Sequence, residues 1–491
     1  MNGVVATGHA VVSDAAAHLL REGGNAFDAI VAAGFAASVA EPGFTSLGGG
    51  GFLLARTREG EEILFDFFVD TPGRGAGSAR LEPHFFPVTV RFPASDQVFN
   101  AGLGSAAVPG VLAGLLHVHE RLGRRPLRQV LAPAVALARG GVVVSAFQAY
   151  VLGLLLPIFS LSEDGRRLYA PGGRAPAAGE RLRNPELADL LEGLADDRGR
   201  RFYEGAAACR VAADMRAGQG LLTEEDLASY TVVERPPLAV EYRDHRLLTN
   251  PPPSLGGSLV ALGLALLAEH DLARLGADSP AHAEVLGAAL VEMERRRAAG
   301  ELRVFSRGTT HASVADAEGN VASMTTSNGE GSGYVVPGTG VMLNNMLGED
   351  DLHPEGFHAG PPGQRVASMM APSLVSGAEG VRLVLGSGGS KRIRTAILQA
   401  VSRAIDFDAA AAEAVEAPRM HWDGERLQVE PGLPDAALEA LRRRWPVNLW
   451  PERSLYFGGV HAVAPSRGEA AGDPRRGGAA RVVVALGSAG G

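Results

Sequence analysis

Residues 308–320 read Gly308-Thr309-Thr310-His311-Ala312-Ser313-Val314-Ala315-Asp316-Ala317-Glu318-Gly319-Asn320, and Val321 to Thr326 follow. Apolar and polar residues alternate on either side of a Glu-Gly-Asn turn, so the spacing predicts a β-hairpin. That hairpin would hold a threonine hydroxyl at a strand end, next to a glycine carbonyl. Gly308 has no Cβ, which permits a strained backbone and an open approach to its carbonyl. A threonine hydroxyl is a weak nucleophile and needs a base. If the Gly308–Thr309 bond breaks, Thr309 starts a chain and brings its own base, an α-amine with a pKa of roughly 8. The residues are those of a proenzyme with a nucleophile in mid-sequence. An ordinary hairpin led by two threonines is the competing reading of this stretch alone.

Composition removes other classes. A net charge of −9 gives nucleic-acid binding no electrostatic support. The runs Arg295-Arg296-Arg297 and Arg442-Arg443-Arg444 are short and read as solvated helix faces. Cys209 is the only cysteine, which excludes an internal disulfide and a thiolate zinc site. It lies in an Ala-rich helical pattern, Ala206 to Met215, and is expected to pack as a small hydrophobe. The longest apolar stretch, Val151 to Leu161, is far too short to span a membrane. His9 and Asp14 interrupt the first apolar run and no basic-then-apolar leader is present, so a cytoplasmic location is expected. A chain of 491 residues would ordinarily form two or three domains.

Periodicity gives a coarse map. Residues 11–40 have helical spacing, with Gly23-Gly24-Asn25 as a stop and Asp28 in the first turn of the next helix. Strands are expected at Leu47–Arg56, Glu62–Phe68, Leu238–Leu248, and within 312–326, 334–343 and 381–386. Helices are expected at 110–140, 185–230, 258–270, 280–303, 391–404 and 435–444. Residues 466–480, rich in Gly, Arg and Ala, read as a surface loop.

Short motifs recur in a fixed order over nearly the whole length. They include Gly23-Gly24-Asn25-Ala26-Phe27-Asp28-Ala29, Glu41-Pro42, Leu47-Gly48-Gly49-Gly50-Gly51-Phe52 and Val108-Pro109-Gly110. Further on come Phe202-Tyr203-Glu204-Gly205, Leu343-Asn344-Asn345, Met370-Ala371-Pro372-Ser373, Ala417-Pro418-Arg419 and Gly472-Asp473-Pro474-Arg475. In this set the chain resembles the γ-glutamyltranspeptidase family of the N-terminal-nucleophile (Ntn) hydrolases. The resemblance implies an α/β (α+β) fold, an αββα four-layer sandwich forming one compact body. It implies a large-subunit-like segment 1–308 and a small-subunit-like segment 309–491, cut between Gly308 and Thr309 and remaining associated, with a homodimer as one possible assembly. Thr309 would attack a γ-glutamyl amide of the glutathione type, and water or an amine would release the acyl group. Neither metal nor organic cofactor is implied, and the partner is a small amide or peptide, not nucleic acid or membrane.

The resemblance also assigns site residues. Gly386-Ser387-Gly388-Gly389-Ser390-Lys391 lacks the spacing of a phosphate loop. In the family a glycine pair here turns two amides toward the developing oxyanion, a role carried to Gly388 and Gly389. The family's proline before the pair is missing and Lys391 is extra. Ser327 matches the hydroxyl placed against the nucleophile, and Asn328 the asparagine that follows it. Glu349 or Asp350 would hold the substrate amine, with Asn345 among the substrate-binding positions, and Ser368 would hold the carboxylate, although Met369 replaces a second serine. The largest departure is Phe68, which stands where the family has a carboxylate-clamping arginine. Phe68 makes the pocket more apolar, unless an arginine such as Arg365 or Arg392 reaches in. Two readings therefore stand beside a γ-glutamyl enzyme. One is an amidohydrolase or acylase acting on a non-glutamyl amide in a specialised pathway. The other is an unprocessed, non-catalytic binding homologue.

Overall fold

The computed structural model describes residues 2–75, 83–92, 95–299, 309–349 and 356–484. Alternation in the strands builds two sheets with different faces. In Gly50–Arg56, Leu53 and Ala55 pack toward helices, while Phe52 and Leu54 pack toward the second sheet. This is the two-residue side-chain period of a strand buried on both faces.

The first sheet has seven strands in the order Ala479–Val483, Gly3–Thr7, Thr310–Asp316, Val321–Ser327, Gly50–Arg56, Glu62–Phe67, Val233–Arg235. The second has six: Glu469–Ala471, Gly459–Ala464, Gly380–Gly388, Ser373–Gly377, His245–Thr249, Leu238–Tyr242. Every pairing within both sheets is antiparallel. Val4, Ala6, Phe52, Leu54, Leu64 and Phe68 of one sheet meet Leu248, Leu374, Val384 and Val463 of the other. Helices Ala10–Arg21, Ala26–Ala40, Val111–Leu122 and Leu127–Gly140 cover the first sheet. Gly256–Ala268, Pro280–Ala298 and Arg392–Asp406 cover the second. The fold is the expected αββα sandwich, and the two segments share it as one body. Helix Ala146–Phe159, which holds most of the longest apolar stretch, packs in a side cluster with the hairpin Phe86–Phe92 and Ser95–Ala101. Among the described residues no helix is long and apolar enough to cross a membrane.

The central helix Ala26–Ala40 is buried at every position. It starts where Gly23-Gly24-Asn25 stops its predecessor. The Asn25 side chain accepts from the Phe27 and Asp28 N–H groups, and Asp28 accepts from the Asn25 N–H, a reciprocal cap. It ends at Glu41, whose N–H donates to Ala37. A carboxylate at a helix C-terminus opposes the helix dipole, so this position breaks a local rule.

Three expectations change. Leu238–Leu248 is not one strand but a hairpin, turned at Arg243 with φ 54°. Cys209 is exposed, with Sγ 3.5 Å from Glu224 Oε2. The buried stripe of its helix is Ala208, Val211, Ala212 and Met215, and Cys209 falls one position off it. Residues 466–480 are no surface loop. Glu469–Ala471 edges one sheet, Ala479 begins a strand that edges the other, and Asp473, Arg475 and Arg476 between them are buried. Composition points to the surface, but Asp473 and Arg475 are paired inside the protein and Arg476 is buried against backbone carbonyls.

Candidate active site

The predicted hairpin forms with Thr310 opposite Thr326 and Ala315 opposite Val321. Asp316 closes its turn by accepting from the Glu318 and Asn320 N–H groups at 2.9 and 3.0 Å. Thr309 precedes the first registered pair and is fully buried. Its partner Gly308 in the expected cleavage bond lies outside the described residues, as does Asp350.

Register places a row of residues across the end of this sheet. Ser327 pairs with Gly50, and Gly51 with Phe67, so Ser327, Gly50 and Phe68 follow Thr309 strand by strand. Thr309 lies two residues before His311, which points between the sheets toward Gly386. Period two puts Thr309 on the same face. Gly50 contributes no side chain, and a Cβ there would stand 2.9 Å from the Phe68 ring. The Phe68 ring itself is fully buried and stacks on Phe52, with centroids 5.5 Å apart. Arg365 and Arg392, the two arginines considered as replacements for a clamp, are both engaged elsewhere. Arg365 pairs with Asp70 at 3.1 Å and donates to the Tyr230 hydroxyl at 2.6 Å and the Thr231 carbonyl at 2.7 Å. Arg392 donates to the Tyr456 carbonyl at 2.7 Å and lies over its ring.

The second sheet delivers the glycine pair. Strand Gly380–Gly388 ends opposite Gly459, and Gly388 backs directly onto Thr309. A Cβ on Gly388 would lie 2.1 Å from the Thr309 carbonyl oxygen, so only glycine fits. Gly389 follows with φ 121° and Ser390 with φ 59°, and their carbonyls accept from the Arg392 and Ile393 N–H groups at 3.0 Å each. The chain thus turns sharply beside Thr309 before helix Arg392–Asp406 begins. Ser390 is buried in the left-handed region, and its Oγ has no hydrogen-bond partner. The motif reading had treated Ser390 only as part of a rejected phosphate loop.

Asn328 is 1% exposed, and neither its Oδ1 nor its Nδ2 has a hydrogen-bond partner. Its backbone is fully used: the N–H donates to Phe44, and the carbonyl accepts from Gly331 and Asn345. A buried amide with two idle ends costs a few kcal/mol and is rare unless a ligand completes it. Ser327 Oγ accepts from the Gly329 N–H at 3.0 Å. Asn345 braces the loop, accepting from the Glu330 N–H and donating to the Asn100 carbonyl. Glu349 is buried nearby, within 2.6 Å of a Cβ built on Gly329. Ser368 is buried, its Oγ accepting from the Met370 N–H and its carbonyl from Leu255 and Ser254. The structure therefore gathers Thr309, Ser327, Asn328, Gly388 and Gly389, with Asn345 and Glu349 supporting the loop beside them.

Two residues at the centre of the site carried no role in the motif reading. Arg476 Nη1 donates to the Thr309 carbonyl at 3.2 Å, and Glu41 Oε2 accepts from the Thr310 hydroxyl at 2.8 Å. The signals were present: an acid closing an apolar helix, and a second arginine after Asp-Pro-Arg. Behind them lies a buried ion network. Arg475 meets Glu430 at 2.5 Å and Asp473 at 3.2 Å, and Arg419 meets Asp473 at 2.7 Å. The motifs Ala417-Pro418-Arg419 and Gly472-Asp473-Pro474-Arg475 thus form one structure. Between the sheets, His311 bridges the hydroxyls of Thr325 and Ser313 at 2.8 and 2.9 Å, and burial holds its pKa well below the usual value.

These features can be set against known proteins. The family model described as gamma-glutamyltranspeptidase matches residues 12–303 and 303–483. The chain is 32% identical over 502 aligned residues to the acylase ACY 1 proenzyme of Pseudomonas sp. (strain SE83), covering 94% of this chain and 89% of that protein. It is 31% identical to the glutathione hydrolase proenzyme of Escherichia coli (strain K12), covering 90% and 85%. The crystal structure of cephalosporin acylase from Bacillus halodurans superposes with a TM-score of 0.81 at 26% identity, covering 98% of this chain and 95% of that one. With the αββα sandwich and the Thr309 strand end already in place, these matches mean that the chain belongs to the gamma-glutamyltranspeptidase family of enzymes.

Proposed function

We propose that the chain is a self-processing acyl-transfer enzyme that uses Thr309 as an N-terminal nucleophile on a small γ-glutamyl amide of the glutathione type. The observation that carries this reading is the meeting of buried Thr309 with the Gly388–Gly389 turn and the unpartnered Asn328 amide. In maturation the Thr309 hydroxyl adds to the Gly308 carbonyl, and the C–N bond breaks in favour of an ester. Water cleaves that ester, leaving the Gly308 carboxylate and a free Thr309 amine. In turnover that amine takes the hydroxyl proton as Oγ1 attacks the substrate carbonyl. Amides at Gly388 and Gly389 stabilise the oxyanion. The leaving amine departs with the proton, and water or a second amine releases the acyl group. The match with a glutathione hydrolase proenzyme supports this substrate class.

A second reading, an acylase for amides that lack an α-carboxylate, is favoured by one observation. The clamp position holds the buried ring of Phe68, and Arg365 beside it is committed to Asp70, Tyr230 and Thr231. A charge-assisted carboxylate bond contributes about 1.5–3 kcal/mol, or roughly tenfold to more than a hundredfold in binding. Kinetics on γ-glutamyl, glutaryl and butyryl anilides separate the two. Strong preference for the γ-glutamyl anilide supports the first reading, and preference for butyryl over both γ-glutamyl and glutaryl, which carry the same terminal carboxylate, supports the second. No turnover of any anilide by a fully matured protein would sink both.

A further inference from the structure

Glu41 and Arg476 both reach the first residues of the nucleophile strand and line one cavity beside it. Arg476 Nη1 donates to the Thr309 carbonyl at 3.2 Å, and Nη2 to the Leu455 carbonyl at 3.3 Å. Its guanidinium sits over the Phe44 ring, 5.3 Å from the centroid. Its Nε has no hydrogen-bond partner. Glu41 Oε2 takes the Thr310 hydroxyl, while Oε1 has no partner. A Cβ on Gly8 would stand 2.3 Å from Glu41 Oε2 and 2.7 Å from Thr310 Oγ1, so a glycine is needed where the acid reaches the strand. Both side chains are over nine-tenths buried, and both line a cavity of about 340 Å³. Its other walls include Phe44, Phe147, Val151 and Leu152.

What sets Arg476 and Glu41 apart is their targets, the carbonyl of the residue whose amine must act as base and the hydroxyl of the residue that follows it. We propose that Arg476 and Glu41 form a charge clamp behind Thr309 that positions its peptide and sets the basicity of its amine, a role that rests on Thr309 being the mature N-terminus. A guanidinium beside an ammonium disfavours the charged form, so Arg476 keeps more of the amine neutral and ready to accept a proton. Glu41 acts in the opposite sense when ionised. Burial raises its pKa to about 7, against the Thr310 hydrogen bond and the Arg476 charge, so its charge changes in the range where the amine works. Burial also lowers Arg476 to about 10, with Arg392 adding to the effect and Asp473 and Glu41 opposing it. Other groups facing the pair are His9, which lines the same cavity, and Arg419 and His461, which couple to Arg476. Arg476 and Glu41 are positioning residues, because they act on the substrate only through Thr309.

The test is the pH dependence of kcat/KM in matured Glu41→Gln, Arg476→Gln, Arg476→Lys and the double variant E41Q/R476Q, with an anilide substrate. Gln keeps a hydrogen-bonding amide at each site, so the substitutions remove charge before contact. Loss of the positive charge should move the acid limb up by about one pH unit, and loss of the negative charge should move it down. The double variant should return toward the wild-type limb, and Arg476→Lys should stay on it, with KM little changed throughout. A merely structural pair would lower kcat without opposed shifts. Wild-type limbs in both single variants, or shifts of the same sign, would overturn the clamp. Should Arg476→Gln stay uncut, the Glu41→Gln and Arg476→Lys limbs decide on the same signs. A wild-type chain that never cleaves would instead remove the Thr309 reading beneath it.

Discussion

Arg475 and Arg476 are neighbours in sequence and opposites in surroundings. Arg475 donates to both Glu430 oxygens, to Asp473, and to the Val415 and Ala417 carbonyls. Asp473 is kept ionised against its own burial, because Arg419 and Arg475 flank it and two backbone N–H groups reach it. Arg476 makes two long bonds, leaves Nε idle, and is weakened as a cation by burial. The same split separates two larger regions. The Arg419–Glu430–Asp473–Arg475 network makes its bonds in full and ties the connection between Ala471 and Ala479 to the second sheet. Around Thr309, by contrast, Asn328, Ser390, Glu41 and Arg476 all have buried polar atoms with no partner. A buried polar group with every bond made holds shape, and one with bonds missing keeps capacity for chemistry at a cost in stability. The satisfied cluster serves the unsatisfied one, since it fixes the backbone that aims Arg476.

Perturbing each region should give a different failure. The largest effect is expected from Thr309→Ala, which should leave one uncut chain and no measurable turnover. The wild type should give fragments of about 308 and about 183 residues, near 32 and 19 kDa, by the position of the bond. Intact-mass measurement decides, and cleavage of the Ala variant would refute the proposed chemistry.

Next in size, Asp473→Ala should leave Arg419 as a buried charge without its carboxylate, while Arg475 keeps Glu430, and cost about 3–5 kcal/mol of stability, followed by urea unfolding. The comparison fails if that variant unfolds like the wild type but loses catalysis selectively.

A smaller effect concerns pH. Burial holds His461 at about 4, against an ordinary value of 6.5. The unfolded chain takes up that proton first as pH falls, so this contribution is complete above about 6.5. It declines through the window and is gone near 4, a change on the order of 3 kcal/mol. Unfolding curves at pH 7 and 4.5 should show the decline, and His461→Asn should flatten it. An equal decline in that variant would assign the effect to other groups.

The smallest effect is expected at Asn328. Its replacement by Ala removes two idle polar ends, so the melting temperature should hold or rise while kcat/KM falls about tenfold to a hundredfold. A stability loss without a kinetic loss would show that Asn328 belongs with the satisfied region after all.

The sequence by itself determined the local parts. Alternation around Glu318-Gly319-Asn320 set the hairpin and put Thr309 at its start, and Gly24-Asn25 with Asp28 set the boundary and cap of the central helix. Motif order was enough to name the family, its sandwich and its glycine pair, because each motif carries its signal within a few residues. Periodicity reports only which face of one element is buried, and it says nothing of what waits on the other side. It therefore misplaced Cys209 by one position on its helix, and it read Asp473, Arg475 and Arg476 as solvated because charge usually means surface. Only the tertiary structure brought Glu41 from the end of an early helix and Arg476 from the last crossing between the sheets to one strand end. That meeting depends on sheet register and layer stacking, which join residues far apart in the chain. It also decided which buried polar atoms would go unpaired, a property of the assembled interior that no stretch of sequence contains.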